Sequence, residues 1–175
     1  MLFRSLGSVA AILYFAHRHG QNALTVLDLA AAATPIGLFF GRLANFVNGE
    51  LWGRVSTVPW AMVFHTDPDA GPLPRHPSQI YEAITEGAIL FVLCWWLIHT
   101  RKELKRPGLV AGTFTAGYGI ARSFCELYRE PDYNHWATFG PMTAGILYSL
   151  PMIVLGAILI VRARRPLEEI GRAHV

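Results

Sequence analysis

The sequence predicts an all-α integral membrane protein: a multi-span helical bundle with one long irregular loop on its outer side. Three observations lead there. Of the 175 residues, 53% are hydrophobic and only 15% charged, with a mean hydropathy of +0.33, far more apolar surface than a soluble domain of this size needs. The apolar residues fall into segments near the roughly 20 residues that cross about 30 Å of hydrocarbon, and open sheet edges cannot face lipid, so helices are the economical choice. The basic residues flank alternate segments, so the net charge of +3 reads as an orientation signal; no aromatic-basic interleaving suggests nucleic acid.

Taken in order, residues 6–16 form a partial span, too short to cross. The full spans are expected at about 24–47, 80–98, 109–128 and 142–161. Arg18, then Arg101, Lys102, Lys105 and Arg106, then Arg162, Arg164 and Arg165 occupy one set of flanks. Only Arg54 and Arg75 occupy the other, so the first set is expected to be cytoplasmic and the chain to end inside. The outer loop 48–79 holds Pro59, Pro68, Pro72, Pro74 and Pro77 and is expected to be shaped but not helical, with VPWAMVF as a strand or an interfacial segment. Thr25 and Asp28 are plausible caps for the second helix, Pro35 and Pro151 plausible kinks, and Gly112, Gly117 and Gly119 a surface for close helix packing. Cys94 and Cys125 lie inside apolar segments and read as small hydrophobes, not as a disulfide or metal pair.

The ends of the chain differ in character from the rest. LFRS (2–5) can be encoded by a string whose reverse complement, in another frame, encodes EIGRA (169–173). Residues 1–5 and 169–175 are therefore expected to be non-native, inverted copies of one ligation adaptor, with 6–168 a single transmembrane domain cut from a longer protein.

The polar residues within spans carry the functional signal, because an ionisable group there costs several kcal/mol on insertion scales. Tyr118, Arg122, Glu126 and Arg129 fall within an arc of roughly 80° on one helix. Arg122 and Glu126, spaced i, i+4, can also simply neutralise each other. By rise per residue, Arg122 sits roughly 10 Å, and Arg42 roughly 8 Å, below the outer ends of their helices. Glu82 and Glu86 begin the intervening helix from the same side, just after His76 and Gln79. Two permanent cations at one depth suit a phospholipid phosphate, with the carboxylates orienting them and some able to move a proton.

GRLANFVNGELWGR (41–54), RHPSQIYEAITEG (75–87), GYGIARSFCELYREPD (117–132) and MTAGILYSLPMI (142–153) resemble, in order, signatures of the prolipoprotein diacylglyceryl transferase family. The resemblance implies a bacterial inner-membrane, multi-pass enzyme with its site toward the periplasmic leaflet and its long loop periplasmic. It implies transfer of the sn-1,2-diacylglyceryl group from phosphatidylglycerol to the lipobox cysteine of a prolipoprotein, the first step of lipoprotein maturation, without metal or organic cofactor. Carried over, Arg42 is the phosphatidylglycerol-binding arginine, with Asn45 and Glu50 in its motif and His76 opening the next, as substrate-binding residues. Arg122 is the second required arginine, and with Tyr118, Glu126 and Glu82 it makes up the catalytic set. The family has seven spans and an HGG histidine before the first segment here; this sequence reads MLFRSLGS at that place. A rival expectation is a small transporter or channel with a buried Arg/Glu anion site, which inverted repeats or broken helices would favour. A non-catalytic membrane scaffold would need no convergence of polar residues at one depth.

Overall fold

The computed structural model describes residues 2–130 and 144–164. The expected outer connection between the last two spans and the 169–175 end lie outside them. The described residues form helices, joined by loops with isolated β-bridges and no strand. They are α1 (Leu2–Arg18), α2 (Ala23–Asn48), α3 (Ser78–His99), α4 (Leu109–Cys125) and α5 (Ala144–Arg164). Three of these, α2, α3 and α5, are long and apolar enough to cross a membrane, and the protein is an all-α membrane protein. The expected partial span 6–16 lies within the 17-residue α1, whose helix already includes residues 2–5.

Local chemistry explains the helix ends. Asn22, not Thr25 or Asp28, caps α2: its side chain accepts from the Leu24 amide at 2.9 Å. At the other end Gly49 takes the left-handed conformation (φ 74) and its amide closes back on the last turn. Asp28 does a different job. It is fully buried, and its two oxygens accept from the Gly108 and Ala111 amides at 2.8 and 2.7 Å, so it caps α4 from across the bundle. That carboxylate supplies what Gly108, left-handed at φ 92, has no side chain to supply.

The middle of α3 departs from the expected regular span. Residues Ala83–Ile89 are a π-helical stretch between two α-helical ones, and Gly87 within it faces Phe39 of α2, where an added Cβ would lie 2.8 Å from the Phe39 Cα. The glycines of α4 do serve close packing. A Cβ on Gly112 would come 2.9 Å from the Gly156 carbonyl of α5, and one on Gly119 3.0 Å from the Ser149 carbonyl. With α5 on one face of α4 and α2 and α3 on the other, α4 is the central helix of the described bundle.

The loop between α2 and α3 has no strand at VPWAMVF. Arg75 instead pairs antiparallel with both Val55 and Met62, and its guanidinium lies 4.0 Å above the Trp52 ring while Nη1 reaches Glu130 at 3.2 Å. A 3-10 turn at Pro68–Ala70, capped by Asp67, completes the loop. The α4 helix stops at Cys125, three residues before the expected Tyr128, because the chain tightens: the Leu127 amide bonds to Phe124 and the Tyr128 amide to Cys125. That turn sends Arg129 toward the loop, where it bridges to Gly53.

Candidate active site

One end of α2, the start of α3 and the end of α4 meet at a cluster of charges. Glu82 and Glu86, one turn apart on α3, are fully buried. Arg42 of α2 spans both: Nη1 lies 3.0 Å from Glu82 Oε2, and Nη2 2.9 Å from Glu86 Oε2, which Nε also approaches at 3.2 Å. Arg122 of α4 contacts the other Glu82 oxygen and, through Nη2, Glu126 Oε2 at 3.2 Å. Arg129 reaches Glu82 Oε1 at 3.4 Å. Glu82 is thus shared by three guanidiniums, one from α2, one from α4 and one from the turn that follows α4. The pairing of Arg122 with Glu126 anticipated from their spacing exists, but as one edge of a larger network.

Two features set this network apart from a structural ion pair. The arginine side chains keep part of their surface exposed, 15% for Arg42 and 17% for Arg122, while those of Glu82 and Glu86 have none. The cations therefore front the site and the carboxylates stand behind them. Glu82 Oε2, Glu86 Oε1 and Glu126 Oε2 are also buried without accepting a hydrogen bond, held by charge alone. Tyr118, four residues before Arg122 and half-buried, places its phenol within the field of Glu86, Arg42, Arg122 and Glu82.

The loop seals one side of this cluster, and the first three sequence motifs join there. Gly53 donates to the His76 carbonyl (2.9 Å), the His76 amide to the Arg54 carbonyl (3.0 Å), and the Arg54 amide to the Tyr128 carbonyl (2.9 Å). A Cβ at Gly53 would meet the Tyr128 and His76 carbonyls at 2.6 and 2.7 Å, so only glycine admits this crossing. Leu51 sits in the left-handed region (φ 61), a costly place for leucine, and is held there by a 2.9 Å bond from Ser78 Oγ to its carbonyl. Gln79, fully buried, donates to the Glu50 carbonyl at 2.7 Å and leaves Oε1 without a partner.

Of the residues singled out from sequence, Arg42, Arg122, Glu82 and Glu126 form the network and Tyr118 borders it. Asn45 lies one turn beyond Arg42, half-buried, with its carbonyl accepting from the Glu50 amide. Glu50 is exposed, and its carboxylate accepts only from Asn48, at 3.3 Å, among the described residues. His76 is in a separate tier: Nδ1 lies 3.1 Å from the Tyr81 hydroxyl, which also accepts from Trp60 Nε1 at 2.6 Å, and its ring packs edge-on against Tyr128. Glu86 and Arg129 belong to the network as well; the sequence placed both among the polar residues near this depth, but not among the named catalytic and substrate-binding residues. For Glu86 the signal was present, a second ionisable residue in the same span four positions after Glu82.

Comparison with known proteins supplies the context of this cluster. The family model described as Prolipoprotein diacylglyceryl transferase matches residues 5–162. A phosphatidylglycerol–prolipoprotein diacylglyceryl transferase of Rhizobium meliloti (strain 1021) is 50% identical over 160 residues, which cover 91% of this chain and 56% of the relative. Proteins of the same name from Rhodospirillum centenum (strain ATCC 51521 / SW) and Idiomarina loihiensis are 50% and 47% identical, covering 90% and 93% of this chain and 57% and 59% of theirs. The chain spans about half the length of the curated relatives it matches.

Proposed function

The chain belongs to the prolipoprotein diacylglyceryl transferase family, and from that premise we propose that it carries the phosphate-binding half of a site that transfers diacylglyceryl from phosphatidylglycerol to a protein thiol. The observation that supports this reading best is the layering of the cluster, with exposed faces of Arg42 and Arg122 in front and buried Glu82 and Glu86 behind. A phosphodiester approaching from the open side meets two guanidinium edges already aimed by the carboxylates, in surroundings with little water to screen them.

In this reaction the thiolate of the lipobox cysteine attacks the glycerol carbon of the diacylglyceryl group. The C–S bond forms, the C–O bond to phosphate breaks, and glycerol phosphate leaves with the bonding electrons. Charge gathers on the departing phosphate, where Arg42 and Arg122 lie. The oxygens of Glu82 and Glu126 that accept no hydrogen bond are the positions able to take a proton, and the Tyr118 hydroxyl is placed to donate to a phosphate oxygen. Asn45, Glu50 and His76 line the approach from the loop side and serve substrate binding. The basic flanks support an orientation with the loop and cluster on the periplasmic side of a bacterial inner membrane and the end of α5 in the cytoplasm.

The test is a chimera in which the matching segment of the Rhizobium meliloti relative is replaced by this chain, presented with phosphatidylglycerol vesicles and a lipobox peptide. The peptide should gain the mass of a diacylglyceryl group only if its cysteine is present. Arg42→Ala should slow the transfer by about 10²–10³, the usual loss when one fixed charge-stabilising donor is removed. An Arg42→Ala chimera that transfers at the parent rate would remove this arginine from the site.

A further inference from the structure

At the opposite end of the bundle from the charge cluster, the structure gathers arginines around a cavity. Its volume is about 370 Å³, and it is lined by the end of α3, the connection 100–108, the start of α4 and the end of α5. Arg101, Arg106 and Arg164 border it, with Trp96 and Thr113 among the lining and Glu103 the sole carboxylate among the described residues. Glu82 and Trp96 are 14 residues apart on α3, so roughly 20 Å separates this cavity from the charge cluster.

We propose that this cavity binds the phosphate headgroup of an anionic phospholipid from the leaflet at that end of the bundle. Arginines that serve only to orient a membrane protein need to lie in the flanking segments; nothing requires them to converge. Here Arg164 comes from the end of α5, nearly sixty residues beyond Arg106, and still borders the same cavity. Glu103 is engaged by Arg106 at 3.5 Å, while Arg101 and Arg164 form no ion pair among the described residues. The Arg101 guanidinium lies 5.0 Å over the Trp96 ring, which limits its motion and aims it at the cavity. A phosphodiester would meet two uncommitted guanidiniums and a third shared with one carboxylate.

The surface beneath the cavity suits the rest of a lipid. Val92, one turn below Trp96 on α3, is 61% exposed, and Val161, one turn below Arg164 on α5, is 58% exposed. Acyl chains hanging from a headgroup in the cavity would run along these apolar faces. The cavity itself is of the size that small-ligand sites have.

Leu97, which also lines the cavity, can be replaced by a photoreactive benzophenone amino acid in the purified chain held in nanodiscs. With phosphatidylglycerol as a minor component in phosphatidylcholine, crosslinked lipid should be enriched in phosphatidylglycerol relative to the bilayer. Each of Arg101→Gln, Arg106→Gln and Arg164→Gln should weaken the enrichment by about fivefold, and Glu103→Gln should strengthen it. Arg42→Ala, at the far end, should leave it unchanged. Crosslinking in proportion to bilayer composition, or enrichment that survives all three arginine changes together, overturns the proposal. So does loss of the enrichment in millimolar inorganic phosphate but not in chloride of equal ionic strength, which would assign the cavity to free phosphate.

Discussion

The two ends of α4 are both held by buried carboxylates, but in opposite ways. At its start Asp28 accepts from two backbone amides and engages no cation among the described residues. At its other end Glu82, Glu86 and Glu126 face guanidiniums on long side chains, and three of their oxygens accept no hydrogen bond. An amide fixed in a helix cannot leave its acceptor without unwinding the helix, so the first arrangement is a joint. A guanidinium can exchange one carboxylate oxygen for another or for a ligand, so the second is a set of replaceable contacts. The same residue chemistry serves anchoring or binding according to whether its partner belongs to the backbone.

The sharpest way to break this contrast is Glu82→Gln. Removing the carboxylate shared by three arginines should lower stability by about 3–5 kcal/mol, the range for stranding a buried charge, seen as a drop in the thermal unfolding midpoint in detergent. A variant that melts with the parent would mean that Glu86 and Glu126 suffice for all three cations. The joint should respond less: Asp28→Ala leaves two amides without an acceptor and should cost about 1–3 kcal/mol. Asp28→Asn should recover part of that, since one oxygen remains, and transfer per folded molecule in the chimera should hold for both. Loss of transfer without loss of stability would place Asp28 in the chemistry instead. Smallest of all, Trp60→Phe removes the bond to the Tyr81 hydroxyl at the exposed rim and should shift stability by about 0.5–1 kcal/mol. A larger effect than that of Asp28→Ala would make the His76 tier part of the framework.

The helical segments were legible in the sequence because lipid imposes their length and composition together. The edges of α2 lie within one residue of those expected, since Asn22 and Gly49 cap it by local rules. The π stretch of α3 was not legible. AITEG has no residue that forbids a regular helix, and its winding arises from packing: Gly87 against Phe39, and Glu82 and Glu86 each toward Arg42. Asp28 misled for a related reason. It lies near a helix start, where a cap belongs, but the amides it serves are 80 and 83 positions away. Arg42, Arg122, Glu82 and Glu126 could be grouped by depth, which sequence encodes through rise per residue. Depth does not encode direction around a helix or the path of a loop, so the contact of His76 with Tyr81 and the exposure of Glu50 were not legible.

Among the described residues the charge cluster contains three guanidiniums and three carboxylates, a formal sum of zero. Such a socket works as an ion exchanger: an arriving anion is accepted only as fast as a resident carboxylate gives up its place. Because its own charges cancel, the transmembrane voltage has no net charge in the cluster itself to pull on, and the arriving anion brings the charge on which the field acts.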